Sequence, residues 1–195
     1  MSRETSSQFV YVSYIRTTQE KLWRALITPE FMDQYWLGAQ FRADWKVGGA
    51  WKIVLNDGRL ADTGEVLEFE PTRRIVLKWR NEFRPELKEE GFSRCVMDIE
   101  PEGTLVKLTI THSIERENSK LVVAVSGGWP KILSSLKTFL ETGEPLPPTA
   151  AKCCRSDICN PGRAQRDPGP IGTCCNGSRI VSLREPSGMT LYFHF

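Results

Sequence analysis

The segment SKLVVAVSGGWPKILSSLKTFLET, residues Ser119 to Thr142, decides the fold of this chain. Its apolar residues recur every three or four positions, which is the period of an amphipathic helix with one buried stripe. The stripe consists of Leu121, Val125, Trp129, Ile132, Leu136 and Leu140, and it is widened by Val122, Leu133 and Phe139. Such a broad stripe predicts a long helix that lies on a large apolar surface.

Pro130 and two glycines interrupt this helix near its middle. Because proline has no amide hydrogen, Pro130 removes the hydrogen bond to the carbonyl of Ser126 and is expected to bend the helix, and Gly127 and Gly128 weaken the same turn. The apolar period continues across the break, which favours one kinked helix that ends at Gly143. A separate helix that begins at Pro130 is the alternative.

The N-terminal part of the chain predicts one strand followed by two short helices. Phe9 to Ile15 is rich in β-branched and aromatic residues, as expected of a strand. Thr17 and Glu20 have the spacing of a capping box and predict the start of the first helix. Thr28 followed by Pro29 predicts the start of the second, since threonine is a frequent N-cap and proline a frequent first helical residue.

From Phe41 to the long helix the hydrophobic period is two, which indicates β-strands. Asp57 and Gly58 separate two alternating runs, and we expect them to supply the positive φ angles of a tight hairpin. The predicted strands are Ala50 to Leu55, Leu60 to Phe69, Ile75 to Trp79, Ser93 to Glu100 and Leu105 to Ser113. A charged loop, Asn81 to Gly91, separates the third from the fourth. We therefore expect an antiparallel meander with one face covered by the long helix.

The composition excludes several classes of protein. The 26 basic and 24 acidic residues are interspersed and leave a net charge of +2, so no basic footprint for nucleic acid or an anionic membrane is present. Residues 1–8 are polar and predicted to be flexible, and no apolar run approaches the roughly 18 residues of a membrane span. We expect a cytoplasmic protein, monomeric or weakly homodimeric.

The composition changes abruptly after Leu146. Residues 147–195 are predicted to form a disordered tail, because Pro147 to Gly172 is rich in proline, glycine and cysteine and has no apolar period. Within it, Arg179 to Leu183 and Met189 to Phe195 are predicted to pair as a marginal hairpin. The tail holds five of the six cysteines, Cys153, Cys154, Cys159, Cys174 and Cys175. Their spacing does not match common zinc knuckles, so we expect no metal, a thiol-rich metal site being the alternative.

Two strings in the chain resemble the signatures of one family. TTQEKLWRALITPEFMDQYW, Thr17 to Trp36, and SGGWPKILSSLKTFLETGEPL, Ser126 to Leu146, are similar to proteins related to the C-terminal domain of the activator of the ninety-kilodalton heat-shock chaperone ATPase. This branch belongs to the SRPBCC, or START-like, superfamily, and the order of predicted elements resembles its helix-grip fold. The resemblance covers residues 9–146 and implies an α+β domain in which a curved antiparallel sheet and two short helices pack with a long C-terminal helix.

The resemblance implies function only broadly, because the superfamily includes lipid carriers, hormone receptors, cyclases and co-chaperones. A grip fold implies an apolar cavity between the sheet and the long helix, so we expect a hydrophobic small molecule as partner, with a regulatory or stress-response role. The first alternative is a co-chaperone that binds the ninety-kilodalton heat-shock chaperone and stimulates its ATPase, docking through the Asn81 to Phe92 loop with Phe83 and Leu87. The second alternative is an enzyme of the cyclase or hydrolase type that uses the same cavity.

Six aromatic residues and one histidine are the predicted ligand-binding residues. Strand parity or helix phase can point each aromatic side chain into the cavity, and ordinary core packing is the alternative for each. The set is Trp36, Phe41, Trp51, Trp79, Phe92, His112 and Trp129.

Polar chemistry is sparse in the sequence. His112 could be a polar anchor or a general base, but we favour a histidine at a strand end that is bonded to backbone or water, since no catalytic partner is evident. Asp62, Glu65 and Arg94 could point into the cavity or line the solvent face. We predict no catalytic residue, no metal ligand and no cofactor. The glycine pairs are isolated and do not form a phosphate-binding loop.

Overall fold

The structure, a computed structural model, describes residues 6–147, 180–184 and 190–194. The chain divides into two compact units, Met1–Ala151 and Lys152–Phe195. The predicted disorder of the segment up to Gly172 and the predictions about the tail cysteines fall on residues outside the described part, apart from Pro147 itself.

The first unit contains seven strands and four helices among the described residues. The strands are β1 (Ser7–Ile15), β2 (Gln40–Ala43), β3 (Ala50–Val54), β4 (Leu60–Glu70), β5 (Arg74–Asn81), β6 (Ser93–Glu102) and β7 (Leu105–Ile114). The helices are α1 (Gln19–Ile27), α2 (Pro29–Tyr35), α3 (Pro85–Lys88) and α4 (Lys120–Thr142). The strands form one curved antiparallel sheet in the order β1-β7-β6-β5-β4-β3-β2, which confirms the predicted α+β helix-grip architecture.

Helix α4 runs unbroken from Lys120 to Thr142, which confirms the prediction of one helix rather than two. Ser119 is its N-cap, and its hydroxyl accepts a hydrogen bond from the amide of Val122 at 3.1 Å. Gly143 ends the helix with a φ of 87°, a conformation that glycine adopts without strain. The helix packs against β1, β7 and the other helices. It places the predicted apolar stripe from Val125 onward in or against the main core, whereas Leu121 and Val122 lie in a smaller cluster with Leu87 and Ile114.

The core lies between the inner face of the sheet and the helices. Alternate residues of β7 are buried, as the predicted strand parity requires, and they include Leu108, Ile110 and His112. On the long helix, Trp129, Leu133, Leu136 and Phe139 meet this face. One-sided burial therefore holds along β7, whereas the paired residues Val76 and Val96 are buried on the other face of β5 and β6.

Two local predictions are wrong in detail. Helix α1 is capped by Thr18, whose hydroxyl accepts from the amide of Lys21 at 3.3 Å, and not by Thr17. With this cap the third helical residue is a lysine, so no carboxylate can complete a capping box. The β3–β4 hairpin forms as predicted, but only Gly58 has a positive φ, 83°; Asp57 instead accepts a hydrogen bond from the amide of Arg59 at 3.1 Å.

The segment predicted as a charged loop contains helix α3. Its four residues are too few to show a hydrophobic period, so the helix gave no sequence signal of the kind that revealed α4. Pro85 is its first residue, a position that favours proline because no amide hydrogen is needed there.

The second unit contains two described strands, β8 (Ile180–Arg184) and β9 (Thr190–His194). They pair antiparallel, with Ile180 opposite His194.

Candidate functional site

Five of the predicted aromatic residues meet in one cluster between the sheet and α4. Ring centroids lie 5.3 Å apart for Trp36 and Phe41, 5.2 Å for Phe41 and Trp51, and 4.4 Å for Trp51 and Trp79. The ring centroid of Trp129 lies 5.9 Å from that of Trp79 and 6.0 Å from that of Trp36. All five are buried. We call this set the aromatic cluster, and it fills the space beneath the middle of the helix, where the remaining void beside it measures about 10 Å³.

Gly64 makes this packing possible. The indole nitrogen of Trp51 donates to the carbonyl of Lys78 at 3.1 Å and passes directly over Gly64 to reach it. A Cβ atom on Gly64 would lie 2.7 Å from that indole nitrogen and 1.7 Å from the Lys78 oxygen. Only glycine therefore allows the tryptophan to lie flat across β4. No local pattern in the sequence marks this glycine.

His112 is fully buried behind the aromatic cluster and belongs to a chain of side-chain hydrogen bonds. The indole of Trp129 donates to Nδ1 of His112 at 3.3 Å, and Nε2 of His112 lies 2.8 Å from the hydroxyl of Ser93. That hydroxyl donates to the carbonyl of Trp79 at 3.2 Å. The directions are consistent only if the neutral imidazole carries its proton on Nε2.

This arrangement makes His112 an anchor rather than a base. Burial lowers the pKa of His112 from 6.5 to about 4, so the ring is neutral at pH 7. Since Nε2 donates to Ser93, it cannot remove the hydroxyl proton, and Ser93 is not activated as a nucleophile. The favoured sequence interpretation, a strand-end histidine bonded to backbone or water, is wrong about the partners, which are side chains on β6 and α4.

Beside the aromatic cluster the structure is open. A groove of about 460 Å³ lies between the N-terminal half of α4, strands β3 to β5, the segment after α2 and residues 82–91, which include α3. We call residues 82–91 the α3 region. Its apolar walls are formed by Trp36, Leu37, Ala39, Ile53, Leu55, Ala61, Trp79, Leu87, Leu121, Ala124, Val125, Trp129 and Ile132. Gly127 and Gly128 complete the helical wall, and Asp62, Asn81, Arg84 and Lys131 are its polar residues. We call this site the groove.

The predicted ligand-binding residues occupy different positions relative to the groove. Trp36, Trp79 and Trp129 line the groove. Phe41 and Trp51 lie deeper in the aromatic cluster, and His112 lies behind it; none of these three is among the groove-lining residues.

Phe92 lies on the opposite face of the sheet, contrary to the prediction. Lys78 Nζ lies 4.3 Å from its ring centroid and the guanidinium carbon of Arg80 lies 4.9 Å away. The reason is strand parity, since the next residue, Ser93, points inward to His112 and so directs Phe92 outward.

Asp62 is the acidic residue among those that line the groove. Its Oδ1 accepts hydrogen bonds from the indole of Trp79 at 2.9 Å and from the side-chain amide of Asn81 at 2.8 Å. Burial raises the pKa of the carboxyl, an effect that these two hydrogen bonds oppose. Glu65 and Arg94, the other two strand residues considered, are exposed, and Arg94 pairs with a glutamate at 2.6 Å.

The α3 region is tied to both the sheet and the helix. Lys88 pairs with Glu82 at 2.7 Å, and this pair, with Arg80, lowers the pKa of Glu82 to about 2. At the other end Glu90 accepts from the Ser119 hydroxyl at 2.5 Å and the Lys120 amide at 2.8 Å. A carboxylate at this position also interacts favourably with the positive end of the α4 dipole.

The predicted docking patch is only partly accessible. Leu87 is buried in a small cluster with Ile114, Leu121 and Val122, so it is not available to a partner. Phe83 is exposed, with the guanidinium carbon of Arg59 at 4.5 Å from its ring centroid.

Neither a metal centre nor a spanning helix is found in the part of the chain that the structure describes. Within those residues no three His, Cys, Asp or Glu side chains lie together in a way that could hold a metal ion. Cys95 is a buried free thiol, and burial raises its pKa well above the usual value. No described helix is long and apolar enough to cross a membrane.

The fold and the groove define a helix-grip domain of the SRPBCC type, in which a curved antiparallel sheet and a C-terminal helix enclose a concave site. The model of the family described as activator of Hsp90 ATPase homolog 1-like protein matches residues 16–141, and the chain belongs to this family. A search of curated proteins finds no match.

Solved structures share this fold at low sequence identity. A protein of Mesorhizobium loti is 24% identical with a TM-score of 0.60, covering 69% of this chain and 96% of that one. The Aha1 dimer of Colwellia psychrerythraea is 19% identical with a TM-score of 0.57, covering 70% and 98%. An HSP90 activator of Plasmodium falciparum is 20% identical with a TM-score of 0.56, covering 68% and 95%. These similarities support the fold of the first unit.

Proposed function

We propose that this domain binds a hydrophobic small molecule in the groove. The observation that carries the proposal is the groove itself, about 460 Å³ of open space with largely apolar walls beside a closely packed core. Its volume falls within the ~300–1,000 Å³ of typical small-molecule sites. A ligand there would cover the apolar walls of the groove, and removing that apolar surface from water favours binding.

The helical wall of the groove supports the same proposal. Gly127 and Gly128 lie inside α4, where each glycine costs roughly 0.5–1 kcal/mol relative to alanine. A Cβ atom on either glycine would meet no atom within 4 Å, so packing does not require them. Their presence leaves room in the groove at the expense of helix stability, as expected of a wall that a ligand must approach.

Filling the groove tests the proposal. Gly128→Phe places a large side chain in the open space, whereas Val123→Phe, at an exposed position of the same helix, is the matched control. The probe is the neutral apolar dye N-phenyl-1-naphthylamine, followed by its fluorescence. We expect Gly128→Phe to weaken dye binding at least ~10-fold and Val123→Phe to leave it unchanged, with thermal unfolding confirming that both variants fold. Equal binding to both variants would contradict the proposal.

A second candidate function is co-chaperone activity, which the family membership favours. In this case the exposed part of the α3 region, Phe83 with Arg59 against its ring, would contact the chaperone. Pull-down with the purified ninety-kilodalton heat-shock chaperone and an ATPase assay are the tests, with Phe83→Ser as the variant. Absence of both binding and rate stimulation by the unaltered protein would eliminate this candidate.

A further inference from the structure

Asp62 lines the groove, and one oxygen of its carboxylate has no donor in the described part of the chain. Oδ1 is held by two donors, the indole of Trp79 and the amide of Asn81, which fix the orientation of the carboxyl group. Oδ2 accepts no hydrogen bond from any side chain or amide within residues 6–147, and it is not sealed from solvent. In the unliganded protein, water can satisfy this oxygen.

A ligand that displaces that water must replace its hydrogen bond. A partly desolvated carboxylate oxygen without a donor is unfavourable, so a purely apolar ligand placed against Asp62 would lose affinity. A ligand with a hydrogen-bond donor at this point would avoid the loss and gain a charge-assisted bond. Asp62 therefore discriminates between ligands that have such a donor and those that do not.

The position of Trp79 places aromatic and polar recognition side by side. Its ring lines the groove, and its indole nitrogen is the group that holds Asp62 at 2.9 Å. Trp36 and Trp129 line the same groove, with ring centroids 6.0 Å apart. An aromatic ligand packed against these indoles would bring a ring substituent close to Oδ2 of Asp62.

The charges around the groove favour a neutral donor. Arg84 and Lys131 line the groove together with Asp62, so the two positive side chains offset the attraction of the carboxylate for an ammonium group. An anionic group near Asp62 would in turn be repelled by the carboxylate. A hydroxyl group donates a hydrogen bond without adding a charge of either sign.

We propose that the groove selects neutral aromatic ligands that carry a hydroxyl group, and that this hydroxyl donates to Oδ2 of Asp62. This inference rests on the proposed small-molecule function and names the chemical class of the ligand. The aromatic rings contact Trp36, Trp79 and Trp129, and Asp62 recognises the substituent.

Matched probes test the inference at pH 7. 2-Naphthol carries the hydroxyl, 2-methoxynaphthalene replaces it with an ether that cannot donate, and 1-naphthylmethylammonium carries a charge. Affinities are measured by NMR titration, in which the indole N–H of Trp79 reports directly on the surroundings of Asp62. We expect 2-naphthol to bind ~10-fold or more tightly than the ether, because a hydrogen bond to a charged acceptor is lost in the ether.

Two variants assign this preference to Asp62. Asp62→Asn keeps an Oδ1 acceptor for Trp79 and Asn81 but replaces the free oxygen with a donor, so we expect the preference for 2-naphthol to disappear. Glu65→Gln makes the same change of charge at an exposed position of β4 and should keep the preference. Equal affinities for alcohol and ether in the unaltered protein, tighter binding of the ammonium probe, or an unchanged preference in Asp62→Asn would overturn the inference. If Asp62→Asn does not fold, the three probes on the unaltered protein decide.

Gly128→Phe distinguishes a failure of the inference about Asp62 from a failure of the proposed small-molecule binding. If Gly128→Phe weakens the binding of 2-naphthol and 2-methoxynaphthalene equally and no hydroxyl preference exists, small-molecule binding stands and the role of Asp62 is refuted. If no probe binds, or Gly128→Phe affects neither, both proposals fail.

Discussion

Acidification from pH 7.5 to pH 5 is expected to destabilise the first unit by about 2 kcal/mol through His112. Burial lowers the pKa of this residue from 6.5 to about 4. Between these values the unfolded chain binds a proton that the folded protein does not, so the free energy of unfolding decreases as the pH falls through this window. At about 1.4 kcal/mol per pH unit the full loss is about 3.5 kcal/mol, of which about 2 kcal/mol is reached by pH 5.

The other groups with shifted pKa values change the free energy of unfolding in a different pH range or with the opposite sign. Glu82 and Glu90 have lowered pKa values, so the stability that they provide is lost only as the pH falls below their unfolded value of 4.5. Asp62 has a raised pKa and acts with the opposite sign, because its folded form takes up a proton before the unfolded form does. The part of the change between pH 7.5 and pH 5 that is lost in His112→Gln therefore reports on this histidine.

Urea denaturation at pH 7.5, 6.5, 5.5 and 5 measures this effect. The experiment uses a His194→Gln background, since the sequence contains two histidines. In His112→Gln, which cannot titrate, stability at pH 7.5 should fall by ~1–3 kcal/mol, since the bonds to Trp129 and Ser93 are disturbed, and the dependence on pH should largely disappear. The reasoning is refuted if the slope persists in His112→Gln, or if NMR shows the imidazole of the folded protein titrating near 6.5.

Three further substitutions test the packing of the domain. Gly64→Ala should destabilise by more than ~2 kcal/mol in thermal unfolding, because the new Cβ would lie 1.7 Å from the Lys78 carbonyl oxygen; a stability equal to that of the unaltered protein would contradict the Trp51 packing. Glu90→Gln should cost ~1–2 kcal/mol at pH 7, and the difference should vanish as the pH falls through the lowered pKa of Glu90; a difference that persists in acid would exclude the carboxylate as its source. Gly128→Ala should raise stability by ~1 kcal/mol and weaken dye binding modestly; a loss of stability would show that the glycine is structurally required.

Local patterns were sufficient for most of the elements. The three- to four-residue period predicted α4 and its end at Gly143, and the alternation around Asp57 and Gly58 predicted the β3–β4 hairpin. These features succeed because each depends on residues that are close in sequence. Helix α3 has too few residues to generate a period, so the same reasoning could not find it.

The candidate site depends on contacts between residues that are far apart in sequence. The aromatic residues were identified as a set, but the sequence could not say that Phe41 and Trp51 fill the core while Trp36, Trp79 and Trp129 border open space. Parity could have placed Phe92 outside, had Ser93 been recognised as the inward residue.

The sequence by itself determined the order and type of the main elements of the first unit and the face that each buries, because hydrophobic period and capping are properties of neighbouring residues. Only the tertiary structure decided that Asp62 enters an apolar groove, that His112 joins β6 to α4, and that Gly64 lets Trp51 cross its strand. Each of these depends on strand register and on the distance between helix and sheet, which are set by the packing of the whole core and not by any local stretch.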